Sequence, residues 1–232
     1  MTVMPNDIVY ILKEDIQPAE LIYSLRSVEK NFPFNKVWFI CGQPKGLKPD
    51  GRIVHKQTGK TKWDWIKSSM IEVIRNDDIT EDFYLFNDDF FVMQRVEGEF
   101  VNLADRTLSA RIEEFKEENP WLNHYARTLV KAREELKVLG CPEVNYDVHM
   151  PMLFDKANVT ETLARCSSPQ MRSIYGNINR VPFKDHPDCK IYSLETVPIL
   201  PDFLSTNENT FANGKVGTYI RATFTHPSRF EL

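Results

Sequence analysis

An α/β fold, with helices flanking a mixed, mostly parallel sheet, is what this 232-residue sequence predicts. Three observations carry the prediction. Asp7-Ile8-Val9-Tyr10-Ile11-Leu12 and Val37-Trp38-Phe39-Ile40-Cys41-Gly42 are almost continuous apolar runs, as expected of strands covered on both faces. Between them lies a stretch of helical period in which Leu21, Leu25 and Val28 share one face. A second helical stretch, Thr61 to Asn76, is then followed by another apolar run, Phe83 to Phe86. Strand and helix alternating in this way make βαβ units, whose strands run parallel.

The first helix opens at Pro18, since proline suits a first turn, and closes at Asn31-Phe32-Pro33. The second strand ends in a loop carrying Pro44, Gly46, Pro49 and Gly51, and Ile53-Val54-His55 predicts a short third strand. Trp65, Ile66, Met70, Val73 and Ile74 give the second helix its apolar face, and Asn76-Asp77-Asp78 ends it. Phe90 to Val92 reads as the resumption of the Phe83–Phe86 strand. From Asn102 to Leu139 the apolar residues take helical spacing amid many charges, with a break at Pro120-Trp121 and an end at Gly140. This predicts a helical hairpin inserted over about residues 102–140 of a single domain spanning 1–232. It is either a wall of an acceptor site or a solvated subdomain. Helices are then expected over Asn158–Cys166 and Met171–Asn179, the latter presenting Arg172 and Tyr175 together. Short strands are expected over Ile191–Leu194 and Val197–Leu200, and a last helix over Lys215–Phe224.

Composition removes several function classes. A net charge of −4, from 29 basic and 33 acidic residues, is too mild to favour nucleic acid or an anionic membrane as partner. Cys41, Cys141, Cys166 and Cys189 are dispersed without a C-x-x-C, so free thiols are expected rather than zinc. Neither a G-x-G-x-x-G nor a P-loop occupies the first connection. The opening residues Met1-Thr2-Val3-Met4-Pro5-Asn6-Asp7 lack a basic region with a long apolar run. No stretch reaches the roughly 20 apolar residues of a membrane span. A cytoplasmic location is expected, with peripheral membrane contact left open.

The chemistry-bearing stretch is Phe83-Tyr84-Leu85-Phe86-Asn87-Asp88-Asp89-Phe90-Phe91-Val92. Two adjacent carboxylates inside an apolar run are costly to bury without a partner. A divalent cation, or a set of strong donors at the strand's end, would satisfy them, and the same layout serves enzymes that hold a metal against a nucleotide-sugar diphosphate. The plainer reading is an Asn-Asp turn with both acids in water.

Four blocks of residues give the chain a resemblance to the Stealth family, the capsular-polysaccharide sugar-phosphate transferases. The first is Asp7-Ile8-Val9-Tyr10. The second, and most specific, is Glu20-Leu21-Ile22-Tyr23-Ser24-Leu25-Arg26-Ser27-Val28-Glu29-Lys30-Asn31, with Val37-Trp38-Phe39-Ile40 and Phe86-Asn87-Asp88-Asp89-Phe90-Phe91. The third is His149-Met150-Pro151 with Phe154-Asp155-Lys156, and the fourth Ser205-Thr206-Asn207-Glu208-Asn209 with Pro227-Ser228-Arg229-Phe230-Glu231. The family's polar loop after the first strand is absent, and Asn207-Glu208 stands where an Asn-Asp pair is common. The resemblance implies a GT-A-like nucleotide-sugar fold, a divalent metal, and transfer of a sugar 1-phosphate or a sugar to a hydroxyl.

On that basis Asp88 and Asp89 are expected to hold Mg2+ or Mn2+, with Asn87 shaping their loop. Arg26 is expected to clamp phosphate, against the alternative of a surface salt bridge with Glu29 or an acid nearby. His149 is the candidate general base for the acceptor hydroxyl, against a structural histidine. Arg172 and Arg229 are expected at phosphate or sugar, and Asn207 and Glu208 on the far side of the cleft. The expected partners are a nucleotide-sugar donor and a glycan or other hydroxyl acceptor. Glycosyl transfer to a glycan, lipid or nucleobase, and a non-catalytic glycan- or nucleotide-binding module, stand as the other readings.

Overall fold

The structure is a computed structural model that describes residues 5–232 apart from 15, 18, 99, 119, 120 and 122. Residues 1–4, Pro18 as helix opener and Pro120 as hairpin break therefore lie outside the described residues. The chain runs β1 (Asp7–Leu12), α1 (Ala19–Asn31), β2 (Val37–Cys41), β3 (Gly51–Ile53), α2 (Lys62–Arg75), β4 (Asp82–Phe86) and β5 (Phe90–Val92). It continues through β6 (Asn102–Thr107), α3 (Leu108–Glu118), α4 (His124–Val138), β7 (Val144–Asn145), β8 (Met152–Asp155), α5 (Lys156–Arg165) and α6 (Met171–Ile178). It closes with β9 (Phe183–Asp185), β10 (Phe203–Ser205), α7 (Glu208–Asn213) and α8 (Lys215–Thr223).

The main sheet has the order β3-β2-β1-β4-β8, with β8 alone antiparallel. Because strand side chains alternate, Ile8, Tyr10 and Leu12 of β1 meet Leu21, Leu25 and Val28 of α1 on one face. Val9 and Ile11 meet Met70 and Val73 of α2 and Val159 of α5 on the other. That two-sided burial is why β1 carries an unbroken apolar run. The chain steps outward from β1 to β3, then returns through α2 to lay β4 on the other side of β1. The direction of travel reverses between β1 and β4, and a crevice opens beyond their carboxyl ends.

At that point β4 gives way to β5, which does not resume it. β5 pairs antiparallel with β10 in a separate sheet. Its backbone is also bonded by a polar stripe on α1. Ser24 Oγ donates to the Phe90 carbonyl at 2.6 Å, the Val92 N–H donates to Ser27 Oγ at 2.9 Å, and Asn31 Nδ2 donates to the Val92 carbonyl at 2.7 Å. Spacing of i, i+3, i+7 puts these three residues on one helix face, where they satisfy main-chain groups of β5. The turn Asn87-Asp88-Asp89 thereby joins strands of two different sheets.

Several expectations are corrected. The third strand lies at Gly51–Ile53, two residues earlier than expected. Residues 102–107 form β6 rather than helix, because Asn102 and Ala104 are buried in strand alternation and β6 pairs with β7 and β9. The hairpin proper is α3 with α4, burying Leu108, Ile112, Leu129 and Leu136 with Ile174 of α6. No strand forms over 191–200. Ile199 and Leu200 are 93% and 75% exposed, so that apolar run has no neighbour to pair with. The polar cluster after β10 is a helix, α7, capped by Asn207.

Candidate active site

A cavity of about 710 Å³ fills the crevice at the carboxyl ends of β1 and β4, a volume within the range of small-molecule sites. Asn87, Asp88 and Asp89 form its floor. Lys13 and Glu20 border it from the β1–α1 side, Trp65 from α2, and Arg172 from α6. Asp147, His149 and Lys190 come from later loops, and Glu208 from α7. A smaller acidic annex, lined by Glu20, Asp88, Asp89, Asn207 and Glu208 with Lys190, opens beside it.

The acid pair is incompletely satisfied. Asp89 Oδ2 accepts from Lys190 Nζ at 2.8 Å and from Ser205 Oγ at 3.3 Å. Its Oδ1 is buried with no hydrogen-bond partner. Burial pushes Asp88 up to about 6, with the Asp89 charge adding to the effect. Glu20, on the first turn of α1, is pushed up to about 7 by burial. There the Thr206 hydroxyl, 2.5 Å from Oε1, opposes the shift, and the charges of Asp89 and Asp88 reinforce it. Three carboxyl groups thus share one partly buried region, where the Asp89 charge disfavours ionisation of Glu20 and Asp88.

Two cations flank them. Burial opposes the charge of Lys190, yet Asp89 holds its ammonium above the ordinary value. Arg172 donates from Nη2 to Asn87 Oδ1 at 3.0 Å and lies over the Phe90 ring, while its Nε is buried without a partner. Burial lowers its pKa, against Asp147 and Asp89. Arg172 sits at the start of α6, whose Gln170 cap makes no side-chain capping bond. A guanidinium and a helix N-terminus converging on a cavity suit an anionic ligand. Tyr175, expected beside it, instead packs inward against Phe154.

His149 lines the same cavity, with Nδ1 2.8 Å from Asp188 Oδ1. Its backbone is left-handed, at φ 48°, a conformation costly for a residue with a Cβ.

Two expected residues lie elsewhere. Arg26 makes a two-pronged pair with Glu231, at 2.8 and 2.6 Å, and donates to the Phe224 carbonyl. Arg229 pairs with Asp50 at 2.7 Å through both terminal nitrogens. Neither borders the cavity. In both cases a salt bridge with an acid distant in sequence consumes the guanidinium. Asn207 lies at the annex, where its side chain is spent accepting the Thr210 N–H at 3.0 Å. The helical hairpin does not line the cavity but backs it. Tyr125 of α4 donates to Asp147 at 2.8 Å, and Arg111 of α3 lies 3.9 Å from Asp188.

Sequence reading missed Glu20, Asp147, Asp188 and Lys190. Only the last pair left a local trace: Asp188 and Lys190 flank buried Cys189 in strand-like alternation. Glu20 has no local signal, because its neighbours Asp88, Asp89 and Thr206 arrive through the fold.

The acid pair fits a divalent cation. It offers hard oxygen donors, one of them buried and unpartnered. Among the described residues no group of three or more His, Cys, Asp or Glu side chains could hold a metal. Two protein ligands, with water and ligand oxygens completing the shell, is how Mg2+ commonly sits at phosphates.

No protein-family model matches the sequence, and no curated protein matches it. Some solved structures are similar in chain path. The glycosyltransferase GlyE of Streptococcus pneumoniae TIGR4 is similar at 9% identity and a TM-score of 0.45, over 97% of this chain and 61% of that one. The galactosyltransferase LgtC, solved with donor and acceptor sugar analogs, is similar at 11% identity and a TM-score of 0.39, over 96% of this chain and 98% of that one. Both likenesses are of chain path alone. Among the described residues no helix is long and apolar enough to cross a membrane.

Proposed function

We propose that this protein is a metal-dependent transferase of GT-A-like type, taking a nucleotide-activated sugar as donor and a hydroxyl of a glycan as acceptor. The observation that carries the reading is the half-buried, incompletely satisfied Asp88–Asp89 pair at the sheet's switch point. A purely structural turn would leave both acids in water or fully bonded. Here one carboxylate oxygen is orphaned, its neighbour is pushed toward protonation, and two cations stand beside them.

Asp88 and Asp89 would hold Mg2+ or Mn2+, which supplies charge neutralisation at the donor diphosphate. Arg172 binds the donor's phosphate oxygens, and Asn87 keeps that guanidinium aimed at the cavity. Lys190 fixes Asp89 through Oδ2 and leaves Oδ1 as the available donor atom. His149 takes the proton of the acceptor hydroxyl. Glu20 and Glu208, at the annex, accept hydrogen bonds from acceptor hydroxyls.

Transfer of a sugar 1-phosphate, rather than of the sugar, is the form supported by the Stealth-like order of motifs. The released nucleotide tests it. A donor labelled in its base yields a nucleoside monophosphate if the sugar 1-phosphate moves, and a nucleoside diphosphate if the sugar moves. Thermal-shift screening of nucleotide sugars with Mn2+ comes first, because a ligand that binds the native state raises its melting temperature. A protein stabilised by none of them, and releasing neither nucleotide, is not a transferase of this kind.

A further inference from the structure

The segment from Asp188 to Lys190 joins two parts of the cavity that lie far apart in sequence. It is extended and fixed by its backbone: the Cys189 N–H donates to the Val148 carbonyl at 3.1 Å, and the Cys189 carbonyl accepts the Ser205 N–H at 3.0 Å. Cys189 itself is buried. The polar side chains on either side of it then take separate tasks. Lys190 reaches Asp89 at 2.8 Å. Asp188 reaches His149 Nδ1 at 2.8 Å.

Asp188 does not line the cavity; it stands behind His149. Its own place is set from two sides, by the Lys190 N–H donating to Oδ1 at 3.0 Å and by Arg111 3.9 Å from Oδ2. His149 is flanked by buried Val148 and Met150 and held at a left-handed φ of 48°. With Nδ1 taken, Nε2 is the ring nitrogen left without a partner among the described residues. A strained, packed histidine with one nitrogen bound from behind is oriented for use of the other.

We propose that Asp188 is a positioning residue: its carboxylate accepts the Nδ1–H of His149, fixes that tautomer, and leaves Nε2 as the proton acceptor facing the acceptor hydroxyl. The role in turnover rests on the transferase reading above; the tautomer rests on the His149–Asp188 geometry alone. In the step served, the hydroxyl proton passes to Nε2 while the hydroxyl oxygen bonds to the transferred group. That group is the sugar-bearing phosphorus in sugar-phosphate transfer, or the anomeric carbon in glycosyl transfer. The bond from the group to the nucleotide breaks, and the nucleotide leaves with the electron pair.

The test uses the full chain labelled with 15N-histidine, in buffer alkaline enough for neutral imidazole. Long-range proton–nitrogen correlation spectra report the tautomer, and the His149 signal is identified by its loss in His149→Gln. The wild type shows His149 as a single Nδ1–H tautomer. Asp188→Ala admits the Nε2–H form. Asp188→Asn, whose carbonyl oxygen accepts the same proton and the Lys190 N–H, keeps the wild-type tautomer and guards against a folding defect. In turnover, Asp188→Ala lowers kcat about 100-fold with the donor KM changed less than about twofold, and Asp188→Asn falls between. An unchanged tautomer in folded Asp188→Ala, or an unchanged kcat, overturns the proposal. A wild-type protein that transfers from no nucleotide sugar, while its tautomer still follows Asp188, sinks the transferase reading and leaves the positioning assignment standing.

Discussion

The two ends of the main sheet each bury carboxylate, and they do so in opposite ways. At the amino end of β1, Asp7 is 0% exposed and its oxygens accept from Asn35 Nδ2, the Lys36 N–H, Trp38 Nε1 and the Thr80 N–H at 2.8 to 3.2 Å. This carboxylate ties the start of β1 to β2 and to the turn before β4. At the carboxyl end, Asp88 and Asp89 are half-buried beside Glu20, and a buried oxygen of Asp89 has no hydrogen-bond partner. A buried acid surrounded by donors is a structural rivet. A half-buried acid left short of donors stores free energy that a cation or ligand can release. Both exposure and the count of donors separate the two ends: Asp7 is fully buried and Asp88 and Asp89 are half-buried.

The largest effect should come from the unsatisfied end. Asp89→Asn preserves shape and an acceptor for Lys190 but removes the charge. It should cut transfer about 1000-fold or more, equivalent to about 4 kcal/mol in the transition state, in metal-replete steady-state assays. Its melting temperature should move less than that of Asp7→Asn. Near-normal turnover would break the comparison, since both ends would then be structural.

Asp7→Asn should act the other way. An amide group would face two of the four N–H donors, leaving buried donors without acceptors. A loss of about 3 kcal/mol in urea unfolding is expected, with donor KM and kcat of the folded fraction retained. Only an activity loss greater than the stability loss explains would draw Asp7 into the site.

The next effect is the pH response of the acid pair. Asp88 rises from 3.8 to about 6 on folding, so between those values the native state binds more protons than the unfolded chain. Stability from this group therefore falls as pH rises through that window. Two units at about 1.4 kcal/mol each give about 2–3 kcal/mol. In chelator, the stability difference between wild type and Asp88→Asn should grow in favour of the variant from about pH 4 to pH 7. Added Mn2+ should narrow that gap most at pH 7, where protons no longer compete for the carboxylates. A difference that is flat with pH would mean that Asp88 is hydrated.

The contrast between the two ends also explains what the sequence revealed. β1, β2, β4, α1, α2 and α8 could be placed because each carries its own periodicity, set by what it must bury. β6 could not, because its alternation, Asn102 and Ala104 inward, is polar and short. Nor could the separate sheet of β5, since an apolar triplet does not say which sheet covers it. In the site, Asn87, Asp88, Asp89, His149, Arg172 and Glu208 do border one cavity. In the sequence they stand as polar residues at the ends of apolar runs or, for Arg172, on an expected short helix beside Tyr175. Arg26, the expected phosphate clamp, and Arg229, expected like Arg172 at phosphate or sugar, instead meet acids 205 and 179 residues away. Asp188, Lys190 and Glu20 gain their chemistry from neighbours that only the fold supplies.

The smallest effect sharpens that last distinction. Arg229 is 50% exposed in its pair with Asp50, and solvent screens such a pair to within about 1 kcal/mol. Its guanidinium also lies over the Phe34 and Phe230 rings, so truncation removes packing as well as charge. Arg229→Gln should therefore lower stability by about 1 kcal/mol or less, lose part of that difference at high salt, and leave donor KM and kcat at wild-type values. Arg172→Gln, changed in the same way, should raise donor KM because its cation borders the cavity. If the two arginines prove alike in KM, then position on the cavity wall does not decide which cation meets the phosphate, and the donor binds outside the crevice between β1 and β4.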